Sequence, residues 1–202
     1  TTSFRTKDFN KTIEEQLALL DGFWALPEYH GATWSGDYTT QPRYYDYMKA
    51  KEFVVGSAKN KPKDAREKTS GLVDIGIIDE NRKLTEAGRA LLEISQSYDF
   101  SSDNFFQIPK DSFLYLRQLL KTYNSVDGSI VRPFIILLYV LSKVEYLSLD
   151  EFTYLLPLCT SAEYTEQIIG GIQACRNHTV SFDDIIINRM HEMDNCQAAL
   201  DK

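Results

Sequence analysis

Between Lys59 and Arg89 the residue pattern changes character in an order that few folds accept. KNKPKDAREKTSG reads as a short basic helix, opened by Pro62 in its first turn and closed by Gly71. Residues 72–78 are apolar and rich in β-branched side chains. Asp79-Glu80-Asn81 is a polar turn, and Arg82-Lys83-Leu84 begins a return strand. Thr85-Glu86-Ala87-Gly88-Arg89 then opens a helix that runs to about Ser97. Helix, strand, turn, strand, helix is the order of a winged helix, whose commonest use is to present one helix and one hairpin to DNA.

The side chains on that helix fit the same use. At about 100° per residue, Ala65, Thr69 and Leu72 share a face that must point to a core. Lys63, Arg66 and Glu67 fall opposite, with Lys68 at the edge, where a recognition helix carries its readers. Lys59 and Lys61 lie just before it, and Arg82 and Lys83 fall at the hairpin tip, placed to touch backbone or minor groove. Tyr38, Thr39, Thr40, Arg43, Tyr44 and Tyr45 form a hydroxyl-rich run suited to positioning phosphate.

The chain as a whole is acidic, with a net charge of −7, which argues against sequence-independent coating of DNA. The charge is uneven. From Arg43 to Lys68 eight basic residues face four acids, whereas from Ser101 onward thirteen acids face eight basic residues. A basic patch on an acidic protein suits a binder that must be oriented before it grips. The competing readings are a solvated helix surface, or a winged helix that binds protein.

Elsewhere the pattern is helical. Thr12-Ile13-Glu14-Glu15 has the form of a capping box, followed by Ile13, Leu17, Leu20 and Trp24 at helical spacing, so a helix is expected from about 12 to 25. Residues 26–41 are turn-rich, and a helix follows from about 42 to 54. The polar segment 98–107 marks a boundary between a first module, 1–100, and a second, 101–202. In the second, helices are expected over 111–123, over 133–146 as an apolar central helix, from a Ser148–Glu151 capping box to about 157, over 162–177, and over 182–200. The 162–177 helix should bury Thr165, Ile168, Ile169, Ile172 and Cys175, and turn Glu166, Gly170, Gln173 and Asn177 outward. The expected fold class is mostly α with a small β-wing, as two tandem winged-helix or helix-turn-helix modules.

No hydrolytic centre is legible. His191-Glu192 lacks the second histidine of a zinc pair, and no phosphate-binding GxxxxGK[ST] loop or GxSxG elbow occurs. Pro109-Lys110-Asp111 is not followed by the Asp/Glu-x-Lys strand that would gather carboxylates around Mg²⁺. His30, His178 and His191 stand apart, and Cys159, Cys175 and Cys196 read as reduced, packed thiols of a cytosolic protein. The longest apolar run, 133–141, is far short of the ~20 residues of a membrane helix. The first residues carry no secretory pattern, so a cytoplasmic protein without a membrane partner is expected.

Several stretches together resemble type IIS restriction endonucleases and site-specific nickases of the AlwI kind, in their N-terminal DNA-recognition region. Ser3-Phe4-Arg5, then Ile13 and LALLDGFW, looks like the family's opening, where an arginine-containing turn precedes the first helix. AREKTSGLVDIGIIDENRKLTEAGRALL is similar to its first winged-helix module. PKDSFLYLRQLLK, RPFIILLYVLSKVEYLSLDEF and QIIGGIQACRN, in that order, are similar to its second. The resemblance implies that double-stranded DNA is the partner, that this segment reads a short asymmetric site, and that Arg5, Arg43, Lys63, Arg66 and Lys68 occupy positions where the family supplies DNA contacts. It also implies a longer protein, to which a chain opening on Thr1 conforms. Cutting would fall to a C-terminal Mg²⁺-dependent nuclease domain or a second cleaving subunit, with no cofactor in this segment. The alternative is a winged-helix transcription regulator or protein-interaction module with no nuclease. The 162–177 helix departs from the pattern, having no basic outward face. Gln173 and Asn177 are then its readers, or the second module supports the first.

Overall fold

The computed structural model describes residues 9–35, 39–126 and 128–191. It is mostly helical, with one small two-stranded antiparallel sheet, and it divides into two compact units, Thr1–Lys121 and Thr122–Lys202.

In the first unit, helix α1 (Phe9–Trp24) places Ile13, Leu17, Leu20 and Phe23 on one stripe, and all four are fully buried. Thr12 lies inside this helix and does not open it, so the Thr12–Glu15 pattern is not its start. A 3₁₀ turn (Pro27–Tyr29) leads to α2 (Thr40–Ala50), which buries Tyr44, Tyr45 and Met48. Phe23 is the hub of an aromatic cluster, stacked on Tyr29 at 4.2 Å and edge-on to Trp24, Tyr44 and Tyr47.

Helix α3 (Lys61–Asp74) packs against α2, and both of its ends have a physical cause. Asn60 caps the start, its Oδ1 accepting from the Lys63 N–H at 3.0 Å, with Pro62 in the first turn. The helix does not stop at Gly71, which is buried within it; it runs on to Asp74. The terminating glycine is Gly76, at φ +69°. The Gly76 N–H donates to the Val73 carbonyl (2.8 Å) and the Ile77 N–H to the Leu72 carbonyl (2.9 Å). This is the paired bonding of a Schellman cap, with Leu72 and Ile77 buried as its apolar contact.

The strand expected over 72–78 is therefore half helix. What remains of the wing is a single antiparallel bridge, Ile78 to Leu84, around a tight turn. Beyond it, α4 (Glu86–Ser97) is capped by Thr85, and α5 (Lys110–Lys121) returns to the same core through Tyr115. The Gln118 Nε2 donates to the Ile75 and Gly76 carbonyls at 3.1 Å each, so α5 grips the end of α3. The polar segment around residues 98–107 thus lies within the first unit.

Gly88 shows why the LTEAGR motif is built as it is. A β-carbon there would sit 2.2 Å from the Ile77 carbonyl oxygen. The same oxygen accepts from the Thr85 N–H at 3.1 Å. Residue 88 must be glycine for α4 to start against that backbone.

The second unit opens with a hairpin, β1 (Asn124–Val126) paired with β2 (Ser129–Val131). Helix α6 (Pro133–Val144) follows, then a wide and a tight turn over 151–158, α7 (Ala162–Arg176) and α8 (Phe182–His191). The apolar α6 is not buried all round within its unit. Val140 and Val144 are buried, but Ile135, Leu138 and Tyr139 are at least 40% exposed. The Ser148–Glu151 capping box forms in both directions: the Ser148 N–H donates to Glu151 Oε2 (2.7 Å) and the Glu151 N–H to Ser148 Oγ (3.1 Å). Glu151 also holds Arg176, whose Nε and Nη2 reach the two carboxylate oxygens at 3.0 and 2.8 Å, while Nη1 and Nη2 donate to the Val144 and Tyr146 carbonyls. One guanidinium thereby closes the open carbonyl end of α6 and ties it to α7.

Candidate nucleic-acid interface

The sequence proposes eleven contact residues: Arg5, Arg43, Tyr44, Lys59, Lys61, Lys63, Arg66, Glu67, Lys68, Arg82 and Lys83. Arg5 lies outside the described residues, as does Tyr38 of the hydroxyl run. The others divide sharply.

The α3 surface is as expected. Ala65, Thr69 and Leu72 are buried, while Lys63, Arg66 and Glu67 are exposed and Lys68 is half-buried at the edge. Lys63 lies 3.6 Å from Glu67 across one helical turn, an exposed pair of small energetic consequence. Arg66 Nη1 donates to Gln41 Oε1 at 2.7 Å. That partner is a neutral amide, so the bond orients the guanidinium without cancelling its charge. Lys61 pairs with Asp46 on α2 at 2.7 Å, which fastens α2 to the start of α3 and takes up part of that lysine's charge. Lys59 and Arg43 are exposed. Lys83 is exposed on the turn, its Nζ 5.4 Å from the centre of the Trp24 ring.

Two proposed contacts face inward instead. Tyr44 has no exposed surface, and its ring packs edge-on to Phe23 and Trp34. Burial pushes its phenol well above the usual range. Thr40 and Tyr45 are buried too, and the Tyr45 hydroxyl accepts from the Ala58 N–H at 2.7 Å, so most of the described hydroxyl run builds the core.

Arg82 is the larger departure. It is 9% exposed and adopts a left-handed backbone at φ +60°. Its Nε donates to Thr69 Oγ1 (3.0 Å), its Nη1 to the Glu80 carbonyl (2.9 Å), and its guanidinium lies 5.3 Å from the Trp34 ring centre. Its own carbonyl accepts from Trp24 Nε1 at 2.9 Å. Burial lowers the guanidinium's pKa, opposed by nearby Glu80. The turn is so tight that the side chain folds back beneath the hairpin: the Arg82 N–H returns to the Asp79 carbonyl (2.9 Å) and the Asp79 N–H to that of Lys83 (2.8 Å). Arg82 therefore joins α1, α3 and the loop bearing Trp34, and Lys83 alone of the two points outward.

In the second unit, α7 buries Thr165, Ile168, Ile169 and Ile172, half-buries Cys175, and exposes Glu166, Gly170, Gln173 and Asn177. Its outward face carries no cation. Buried Cys159 has its thiol pushed up to about 11 by desolvation, which keeps it unreactive; Cys196 is outside the described residues. Among the described residues no group of three or more His, Cys, Asp or Glu side chains could hold a metal ion. Nor is any helix among them long and apolar enough to cross a membrane.

The family model described as AlwI restriction endonuclease matches residues 73–202, most of the chain. The match takes in only the last two residues of α3, then Arg82 and Lys83, and the whole second unit; the cations from Lys59 to Lys68 precede it. No curated protein and no solved structure matches the chain.

Proposed function

The chain belongs to the AlwI restriction endonuclease family, and from that premise we propose that its first unit recognises double-stranded DNA sequence-specifically through the exposed face of α3. The observation that carries this reading is the separation of faces on that helix. Its apolar side is sealed into a core, and its other side presents Lys63 and Arg66 to solvent in an acidic protein. Helices α2 and α3 act as the helix-turn-helix, and the turn closed by the Ile78–Leu84 bridge acts as a minimal wing that offers Lys83 to the phosphate backbone. The second unit, with its uncharged and acidic α7 face, supports this reader as a second helix-turn-helix module.

Mg²⁺-dependent cutting, in this reading, belongs to a nuclease domain or subunit other than the residues described, and the protein works in the cytoplasm, where its DNA substrate is. Selection from a pool of random duplexes, with fluorescence anisotropy of the enriched sequences, tests the proposal. Enrichment of one asymmetric motif, bound with an affinity that falls steeply with salt, is expected. A pool that stays random through successive rounds would overturn it.

A further inference from the structure

We propose that Gln41 is a positioning residue for base recognition, holding Arg66 in the orientation from which its guanidinium reads a guanine. The inference rests on the reading of α3 as the DNA-facing helix and adds a residue that the sequence pattern does not single out.

The amide of Gln41 is fixed at both ends. Its Nε2 donates to the Trp34 carbonyl at 3.0 Å, and its Oε1 accepts from Arg66 Nη1 at 2.7 Å. A carbonyl can only accept, so the bond to Trp34 determines which way the amide faces and turns Oε1 toward α3. The anchor is buried. Trp34 is 1% exposed, edge-on to Tyr44 at 5.7 Å and under the Arg82 guanidinium. A continuous set of contacts thus runs from the core through Gln41 to an exposed arginine, 25 positions further along the chain.

This arrangement matters because of what Arg66 must do. In the major groove guanine presents N7 and O6, two acceptors side by side, which a guanidinium fits with two parallel N–H bonds. An exposed arginine on a helix samples many rotamers and loses that freedom on binding. One held in place beforehand loses less, and it discriminates better because its donors are already aimed. Gln41 engages a single Nη1 proton and leaves the remaining donors for the base. Both of its own polar atoms are occupied, which argues against Gln41 reading adenine itself. Lys63, one turn earlier, is a flexible point charge beside Glu67 and suits phosphate.

The test compares base-preference profiles of the full chain and its Gln41→Met, Arg66→Met and doubly substituted forms on a library of duplexes varied one base pair at a time. Arg66→Met is expected to erase a preference for one G·C pair by about five- to a hundred-fold. Gln41→Met should weaken the preference at that same position by about two- to ten-fold, leaving the salt slope and the melting temperature nearly unchanged. The double form should match Arg66→Met at that position, since Gln41 acts only through Arg66. A Gln41→Met profile identical to the parent's, or one relaxed at a different base pair from Arg66→Met, overturns the proposal while sequence-specific binding by the parent stands. A parent chain that binds no duplex removes the underlying reading and this inference with it.

Discussion

Replacing Arg82 separates the two roles an arginine in this turn could play. In the structure the side chain is buried, bonded to Thr69, and stacked near Trp34. A buried hydrogen bond from a charged donor contributes about 1.5–3 kcal/mol, and a guanidinium over an indole roughly 0.5–2 kcal/mol. Part of each overlaps with desolvation of the charge, so Arg82→Ala should cost the first unit about 2–4 kcal/mol. The backbone supplies a second handle. Residue 82 sits at φ +60°, where alanine is strained and glycine is not. Arg82→Gly should therefore be more stable than Arg82→Ala by about 1 kcal/mol, an inversion of the usual order. Arg82→Lys should recover little, because an ammonium cannot reach Thr69 and the Glu80 carbonyl in the same fork. Urea unfolding followed by tryptophan fluorescence measures all three, since Trp24 and Trp34 both touch this residue. Salt titrations of DNA binding by the folded variants should keep the parental slope. A stability loss under about 0.5 kcal/mol with a slope reduced by about one would put the guanidinium on phosphate and refute the reasoning.

Other consequences are as direct. Gly88→Ala should destabilise by about 1–3 kcal/mol, because its β-carbon meets the Ile77 carbonyl, whereas Gly170→Ala, open on the α7 surface, should stabilise by about 0.5–1 kcal/mol; thermal melts distinguish them. Burial alone would raise the Glu151 carboxyl, but the Arg176 guanidinium and the Ser148 N–H outweigh it and hold it below its ordinary 4.5. Its contribution to the second unit is then present above that value and lost as pH falls through the depressed pKa; Glu151→Gln should remove this acid-side loss in denaturation profiles. Asp46→Asn should release Lys61 from its ion pair, strengthening duplex binding about two- to five-fold at low salt and steepening the salt slope by up to about 0.9; an unchanged affinity would mean that Lys61 stays clear of the DNA.

The helix faces were legible because their periodicity repeats over several turns. Every residue assigned to the buried stripe of α3 and to that of α7 is buried or half-buried, and the opposite faces are exposed. The ends were harder, since they depend on single residues with close rivals. Gly71 and Gly76 both qualify as helix stops, and the choice fell to Gly76 because only there do Leu72 and Ile77 meet as the apolar pair of the cap. Once α3 runs to Asp74, too few residues remain for a full strand, and the wing shrinks to one bridge. The β1–β2 hairpin had a readable cue, Asp127-Gly128 with Val126 before it and Ile130-Val131 after it, in a stretch to which the helical reading of the second module assigned no element. Apolar composition misled for α6, whose outward Ile135, Leu138 and Tyr139 no periodicity separates from the inward Val140 and Val144. Within the candidate site, the exposed cations of α3 could be read from helical spacing alone. The inward turn of Arg82 and the Gln41–Arg66 contact could not, because each depends on a partner brought near by tertiary folding.

The proposed grip of α3 on duplex DNA is tested most directly by the ionic-strength dependence of binding. The parent chain, the Lys63→Ala/Arg66→Ala double variant, and Arg89→Ala as a cation on α4 should be titrated against one selected duplex. The double variant should lower the slope of log affinity against log salt by about 0.9, for the one phosphate contact assigned to Lys63, and lose the preference read by Arg66, while Arg89→Ala leaves both at the parental value. Equal slopes for the parent and the double variant would contradict the account.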